Sequence, residues 1–343
     1  MKRHQNTLFV TTQGAYLAKD GEAVTVRIEK QVRMHVPIHT LEGILCFGQV
    51  SVSPFVLGLC GERGVAVAFL TKNGRFLARV HGPTSGNVLL RREQYRRADD
   101  PTACTAIVRP LLAAKIANSR NVLLRALRDR PEHPDADRIR AAAGQMSHHL
   151  KSLLEELPLD SLRGIEGIAA RTYFEVFDSL IVQQKEGFFL RARSRRPPLD
   201  NMNALLSFIY TLLRHDVEAA LESVGLDPAV GFLHRDRPGR AGLALDLMEE
   251  LRAYLADRLA LSLVNLKQIQ ATGFETTESG GVRMDDATRK TVLTAYQKRK
   301  EDEIVHPFLD EKTTVGLLPH LQAALLARAL RGDLDGYPPF LWK

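Results

Sequence analysis

The stretch "HGPTSGN", His81 to Asn87, marks a change of texture in the chain, and its reading decides the fold. Proline, serine and two glycines within seven residues punctuate rather than continue a regular element. Upstream, from Thr7 to about Arg79, short β-branched and aromatic runs alternate with turn residues: TLFV, AYLAKDG, AVTVRI, QVRMHVPI, GILCFG, VAVAFLT and RFLARV. This predicts a small β-rich domain over 1–86, with turns at Lys19-Asp20-Gly21 and Lys72-Asn73-Gly74. Ser53-Pro54 and the apolar run to Gly64 predict one short helix crossing between strands.

Downstream the period lengthens and strong helix formers dominate. Helices are expected at Asn87–Ala98, Pro101–Asp129, Asp135–Glu156, Ser161–Val182, Asn201–Val224, Ala241–Leu261, Asp285–Gln297 and Val315–Leu330. RPEHPDAD and RARSRRPPLDN interrupt them, the second because paired prolines cannot continue a helix. The fold class is therefore α+β in two domains, a β-rich domain over 1–86 and a larger all-α domain over 87–343. No internal repeat or low-complexity tract appears.

The 343 residues carry 47 Lys and Arg against 40 Asp and Glu, a formal charge of +7. Arginines concentrate in LLRREQYRR, NSRNVLLRALRDR and RARSRRPP, which suits a polyanionic partner or, equally, solvated helix faces. Cys46, Cys60 and Cys104 form no C-x-x-C pair, so neither a disulfide framework nor a thiolate metal site is expected, and a reducing cytoplasm fits best. The start lacks an apolar signal core, and no run of about 18 apolar residues occurs.

In GFLHRDRPGRAGLALDLMEELR, Gly231 to Arg252, three acids share little more than a turn. Asp246, Glu249 and Glu250 stand at i, i+3 and i+4, so a helix turns them toward one side among Leu243, Ala244, Leu245, Leu247 and Met248. Carboxylates crowded beside apolar surface need a cation. Two are on offer: the arginines Arg235, Arg237, Arg240 and Arg252, or a divalent metal. His234 in the preceding loop supplies a nitrogen to a shell of oxygens, a mixture suited to Mn or Mg rather than structural zinc. A third source is Glu166 in LRGIEGIAARTYFEVF, set among glycines and small apolar residues that admit the close approach of another helix or a nucleic-acid backbone; the simpler reading is a carboxylate favoured by a helix N-terminus. Glu175 reads as surface, as do His148, His149 and His215, while Tyr173 and Tyr210 read as core or as platforms for DNA ends.

Four stretches in order, AKIANSRNVLLR (Ala114–Arg125), GIEGIAARTYFEVF (Gly164–Phe177), RRPPLDNMNALLSFIYTLL (Arg195–Leu213) and VGFLHRDRPGRAGLALDLMEELR (Val230–Arg252), resemble the CRISPR-associated endonuclease and integrase that inserts new spacers during adaptation. The ending GDLDGYPPFLWK resembles its subtype I-C branch. The resemblance implies a β-rich N-terminal domain that mediates homodimerisation, a helical domain holding Mg2+ or Mn2+, and a small second CRISPR adaptation protein bridging two dimers. It places the metal ligands at Glu166, His234 and Glu249, with Asp246 as an assisting acid and Glu250 as a further candidate. The implied activity is attack by the 3'-hydroxyl of a short DNA duplex on a phosphodiester of the repeat array, in prokaryotic antiviral defence. Arg240 and Arg252 would then grip the scissile strand, and Lys115, Arg120 and Arg125 would track the duplex. The competing readings are a metal-dependent nuclease that only degrades nucleic acid and a non-catalytic basic DNA-binding scaffold.

Overall fold

Gly21, at φ +56°, closes the hairpin between β2 (Tyr16–Asp20) and β3 (Ala23–Ile28), the turn expected at Lys19-Asp20-Gly21. A computed structural model describes residues 6–72, 76–80, 82 and 88–342. The other strands of this region are β1 (Asn6–Val10), β4 (Gln31–Pro37), β5 (Leu41–Phe47), β6 (Ser51–Val52), β7 (Ala66–Leu70) and β8 (Phe76–Val80). They form two four-stranded sheets, ordered β1-β5-β7-β8 and β4-β3-β2-β6. β1, β5 and β7 run parallel, and the middle strand β5 is accordingly apolar without alternation from Ile44 to Phe47. Helix α1 (Pro54–Arg63) makes the expected crossing, started by the Ser53 hydroxyl on the Val56 N–H and ended by Gly64 at φ +69°. Ile44 and Val67 of one sheet, Leu17 and Val24 of the other, and Val56 and Leu59 of α1 share one core. The edge strand β4 leaves Val32 and Met34 half-exposed.

The helices follow as α2 (Val88–Asp99), α3 (Pro101–Asp129), α4 (Ala136–Ser152), α5 (Leu159–Phe177) and α6 (Asn201–Ser223), then α7 (Gly242–Leu251) and α8 (Arg258–Asn265), with α9 (Asp286–Glu301) and α10 (Leu318–Arg331) last. Asp100 and Asp200 cap α3 and α6 through their carboxylates. Two differences from the sequence reading stand out. The expected helix Ala241–Leu261 is α7 and α8 joined by a π-helical stretch, Arg252–Asp257. The region expected to be purely helical also holds two small hairpins, β9 (Phe274–Thr276) with β10 (Val282–Met284) and β11 (Glu303–Val305) with β12 (Lys312–Thr314). Strands of three residues are too short to show alternation.

The chain separates into two compact units, Met1–Gly86 with Leu293–Glu301, and Asn87–Val292 with Asp302–Lys343. The expected turn at Asn73-Gly74 and the connection Pro83–Asn87 lie outside the described residues. In the second unit α3 packs on α4, α5 and α7. Its inward stripe runs Val108, Leu111, Leu112, Lys115, Ser119, Val122, so a lysine occupies a core-facing position.

Candidate active site

The loop after α6 and the helix α7 are built around one carboxylate. Asp246, fully buried, accepts the backbone N–H groups of Phe232 (2.6 Å), Leu233 (2.9 Å) and His234 (3.0 Å), and its Oδ1 lies 2.6 Å from His234 Nδ1. An acceptor at Nδ1 places the ring proton there and leaves Nε2 as the lone-pair nitrogen. The loop reaches Asp246 because Gly231 and Gly242 touch backbone to backbone: a Cβ on Gly231 would sit 2.7 Å from the Gly242 carbonyl carbon and 2.8 Å from Asp246 Oδ2. Gln94 holds the loop from α2 through the Asp227 and Val230 carbonyls, and Arg163 from α5 donates to the Leu233 carbonyl at 2.8 Å. Asp246 thus orients the histidine ring.

Glu166 lies one helical turn beyond Arg163 on α5, and Glu249 lies on α7 with only 3% of its side chain exposed. Both converge on the Lys115 ammonium: it is ion-paired with Glu166 Oε1 and lies 2.7 Å from Glu249 Oε2. The other Glu249 oxygen is 2.7 Å from Arg252 Nη1. Burial alone would raise the Glu249 carboxyl; Arg252 foremost, then Lys115 and His234, hold it down at about 2, so it is ionised. Glu166 is the eighth residue of α5, beyond the first turn where a helix terminus favours an acid, and no atom stands within 4 Å of a Cβ added to Gly164 or Gly167. No helix of the described residues packs there, and Ile168 beside them is half-exposed.

A partly open cleft lies beside these carboxylates, lined by Lys115, Ser119, Glu166, Arg195, Glu249 and Arg252 together with Tyr173, Phe174, Tyr210 and Asp257. Tyr210 donates to Asp257 Oδ1 at 2.5 Å, and the Arg252 guanidinium lies 4.8 Å from the Tyr210 ring centre. Burial pushes the Asp257 carboxyl up to about 6, against the hydrogen bond of Tyr210 and the charges of Arg252 and Arg193. Glu250 points away from the cleft. It takes Tyr337 Oη (2.6 Å) and Gln322 Nε2 (2.9 Å) on one oxygen and the Phe340 N–H (2.9 Å) on the other. Burial lifts its carboxyl to about 7, and its three donors tie it to Gln322 and the Tyr337–Phe340 segment.

Several sequence expectations change here. Lys115 is buried between two acids and does not lie on an exposed duplex-tracking face, and Arg252 is likewise enclosed by its partner Glu249. Arg120 is half-buried, Arg125 is exposed and pairs with Asp129 at 3.5 Å, and Arg240 is half-buried with Nη1 3.5 Å from the Arg235 carbonyl. His215 is buried, 3.6 Å from Glu218, because it falls on the inward face of α6 and so is not the surface residue expected. His148 and Glu175 are exposed as expected, while His149 is half-buried. Arg195 and Asp257 as cleft residues were not foreseen from sequence. The signal for Lys115 was available, as a cation at the i+4 position from Leu111 in an otherwise apolar stripe.

A divalent ion fits the donor chemistry. Glu249 Oε2 is buried and close to the ammonium yet outside hydrogen-bond geometry, Glu166 faces the same point, and His234 keeps Nε2 available. Among the described residues no three His, Cys, Asp or Glu side chains are gathered closely enough to chelate an ion as they stand, Lys115 being interposed between the two glutamates. The three cysteines are free and buried, and among the described residues no helix is long and apolar enough to cross a membrane.

Residues 8–298 match the family model described as CRISPR associated protein Cas1. The chain is 54% identical over 343 residues, the full length of both, to the CRISPR-associated endonuclease Cas1 1 of Chlorobaculum tepidum. Its fold is similar to that of a casposase bound to integration product (TM-score 0.83, 22% identity, 99% of this chain and 95% of that one). It is also similar to that of a chain in a Cas6-RT-Cas1–Cas2 complex (TM-score 0.82, 22% identity), matching all of this chain and 36% of that one. The chain belongs to the Cas1 family of CRISPR-associated endonucleases.

Proposed function

We propose that this protein is a metal-dependent DNA endonuclease and integrase that joins the 3'-hydroxyl of a short duplex to a phosphodiester of a CRISPR array, with Glu166, Glu249 and His234 as the ligands of Mg2+ or Mn2+. The observation that carries it is the convergence of Glu166 and Glu249, from two different helices, on one cation. When bound, such an ion supplies Lewis-acid polarisation of a phosphoryl oxygen. The chain's own groups do the rest. Asp246 fixes the tautomer and direction of His234, Arg252 keeps Glu249 ionised, and the aromatic and basic cleft walls accommodate a strand end and its phosphates.

The partners are read in the same way. DNA and a second adaptation protein like the Cas2 of the complex named above suit the basic charge and the fold, and a homodimer is supported by the half-exposed Val32 and Met34 on the edge strand β4. On this reading residues 1–86 serve dimerisation and 87–343 catalysis, and the resemblance of the tail GDLDGYPPFLWK supports subtype I-C.

The test is strand transfer. Purified protein with its small partner should move a labelled duplex end into a supercoiled repeat plasmid in Mg2+ or Mn2+ and not in chelator. Glu166→Ala should keep DNA binding and lose transfer; a scaffold would be indifferent to the substitution, and a purely degradative nuclease would nick the plasmid without joining the label.

A further inference from the structure

Resting on the metal-site reading above, the geometry points to Lys115 as an internal cation that competes with the divalent ion for Glu166 and Glu249, so that metal loads only as the lysine withdraws into the cleft toward a DNA phosphate. Three observations carry this. The ammonium contacts both carboxylates at once, with 11% of its side chain exposed, so it occupies the point where their charges converge. Its fit is incomplete, since Glu249 Oε2 is 2.7 Å away but lacks an aligned donor, a deficit an ion without directional demands would relieve. Glu249 already has Arg252 on its other oxygen.

Charge decides between coexistence and exchange. Two carboxylates facing Arg252, Lys115 and a doubly charged ion would leave a surplus of two positive charges in a largely buried place, where like charges a few ångströms apart repel far more strongly than in water. One cation must leave. The guanidinium of Arg252 is fixed over Tyr210, whereas a lysine has a flexible four-carbon stem. The cleft beside it, with Ser119 one turn along α3 and Arg195 and Arg252 on its walls, leads to where a phosphodiester would be held. A phosphate there offers the displaced ammonium a new partner, so DNA and metal should each tighten the other's binding by the same factor.

The experiment measures Mn2+ binding to the intact protein by calorimetry and by the loss of free-ion EPR signal, with and without a duplex ending in 3'-deoxynucleotides that cannot react. Lys115→Gln should bind Mn2+ about tenfold more tightly than wild type without DNA, equivalent to ~1.4 kcal/mol. Its metal-free form should melt lower than wild type, with a larger rise on adding Mn2+, because two carboxylates have lost a cation. The added tightening caused by duplex should shrink in the variant. Lys115→Arg, which keeps a cation, should resemble wild type and covers the case in which Lys115→Gln fails to fold: Mn2+ affinity raised in the arginine variant as much as tenfold would overturn the inference. Unchanged or weaker Mn2+ binding by Lys115→Gln also overturns it. Glu249→Gln separates the two readings. If Mn2+ affinity ignores that change, the metal site itself is misplaced; if affinity falls there but is insensitive to Lys115→Gln, only the competition is wrong.

Discussion

At the scale of single residues, the site depends on acids whose neighbours have given them different roles. Asp246 acts through His234 and the loop, so Asp246→Asn, whose NH2 would face N–H donors at whichever oxygen it replaces, should lower stability by about 1–3 kcal/mol and lower Mn2+ affinity and strand transfer by about 10–100-fold; a binding isotherm beside a melting curve checks this. Glu249 and Glu250 are adjacent yet opposed in sign. Glu249, held at about 2, contributes stability present above its ordinary value of 4.5 and lost as pH falls from there toward 2. Glu250, lifted to about 7, does the reverse: stability is highest below 4.5 and is lost as pH rises to 7, with an upper bound of roughly 3 kcal/mol. Urea unfolding of the metal-free protein should therefore show falling stability between pH 5 and 7, and Tyr337→Phe, which removes a donor to the ionised form, should destabilise more at pH 8 than at pH 5. Glu166 and the acid cluster were legible in sequence from their apolar settings, the choice of Glu249 among the cluster only through family resemblance. The roles of Asp246 and Glu250 were not, because i, i+3 and i+4 spacing places three acids on one side of a helix without saying which meets a loop, a cleft or a chain terminus.

Among elements, the helices were legible almost to the residue where caps punctuate them, as at Pro101–Asp129 behind Asp100 and at Asn201 behind Asp200. Boundaries without a side-chain cap drifted: α4 ends at Ser152, four residues before the position expected, and α5 begins at Leu159 rather than Ser161. The segment Tyr337–Trp342 has no regular structure and no period to read, yet it binds α7 and α3 together. Asn118 donates to the carbonyls of Glu250 and Phe340 and accepts the Trp342 N–H, each at 2.8 Å, and Arg258 stacks 4.5 Å from the Trp342 ring centre. Phe340 is fully buried. Phe340→Ala should cost about 3–5 kcal/mol of stability, measured by urea unfolding, and should loosen α7 at Glu250. A loss below 1 kcal/mol would mean the segment is merely laid on the surface.

For the whole molecule, a charge of +7 predicts DNA binding that weakens steeply with salt. Arg125, exposed on α3, should lower the slope of log K against log salt by about one unit when changed to Gln if it meets a phosphate, whereas Arg252, half-buried and already neutralised by Glu249, should change that slope less and affect transfer more. Everything from α8 onward is threaded through the π-helical stretch Arg252–Asp257, which has a consequence of its own. In an α-helix residues five apart point about 140° away from each other, but i to i+5 hydrogen bonding swings them toward one side, and here Arg252 and Asp257 both face the cleft. That widened turn is a one-residue phase insertion. Removing a single residue from it would restore an ordinary α-helical winding, leave the downstream helix in its present phase and take away the swing that brings Arg252 and Asp257 to one side, parting Tyr210 from its acid while sparing every residue proposed to hold metal. A one-residue deletion in this window should therefore cost strand transfer more than stability, in a segment whose sequence, RAYLAD, looks entirely ordinary.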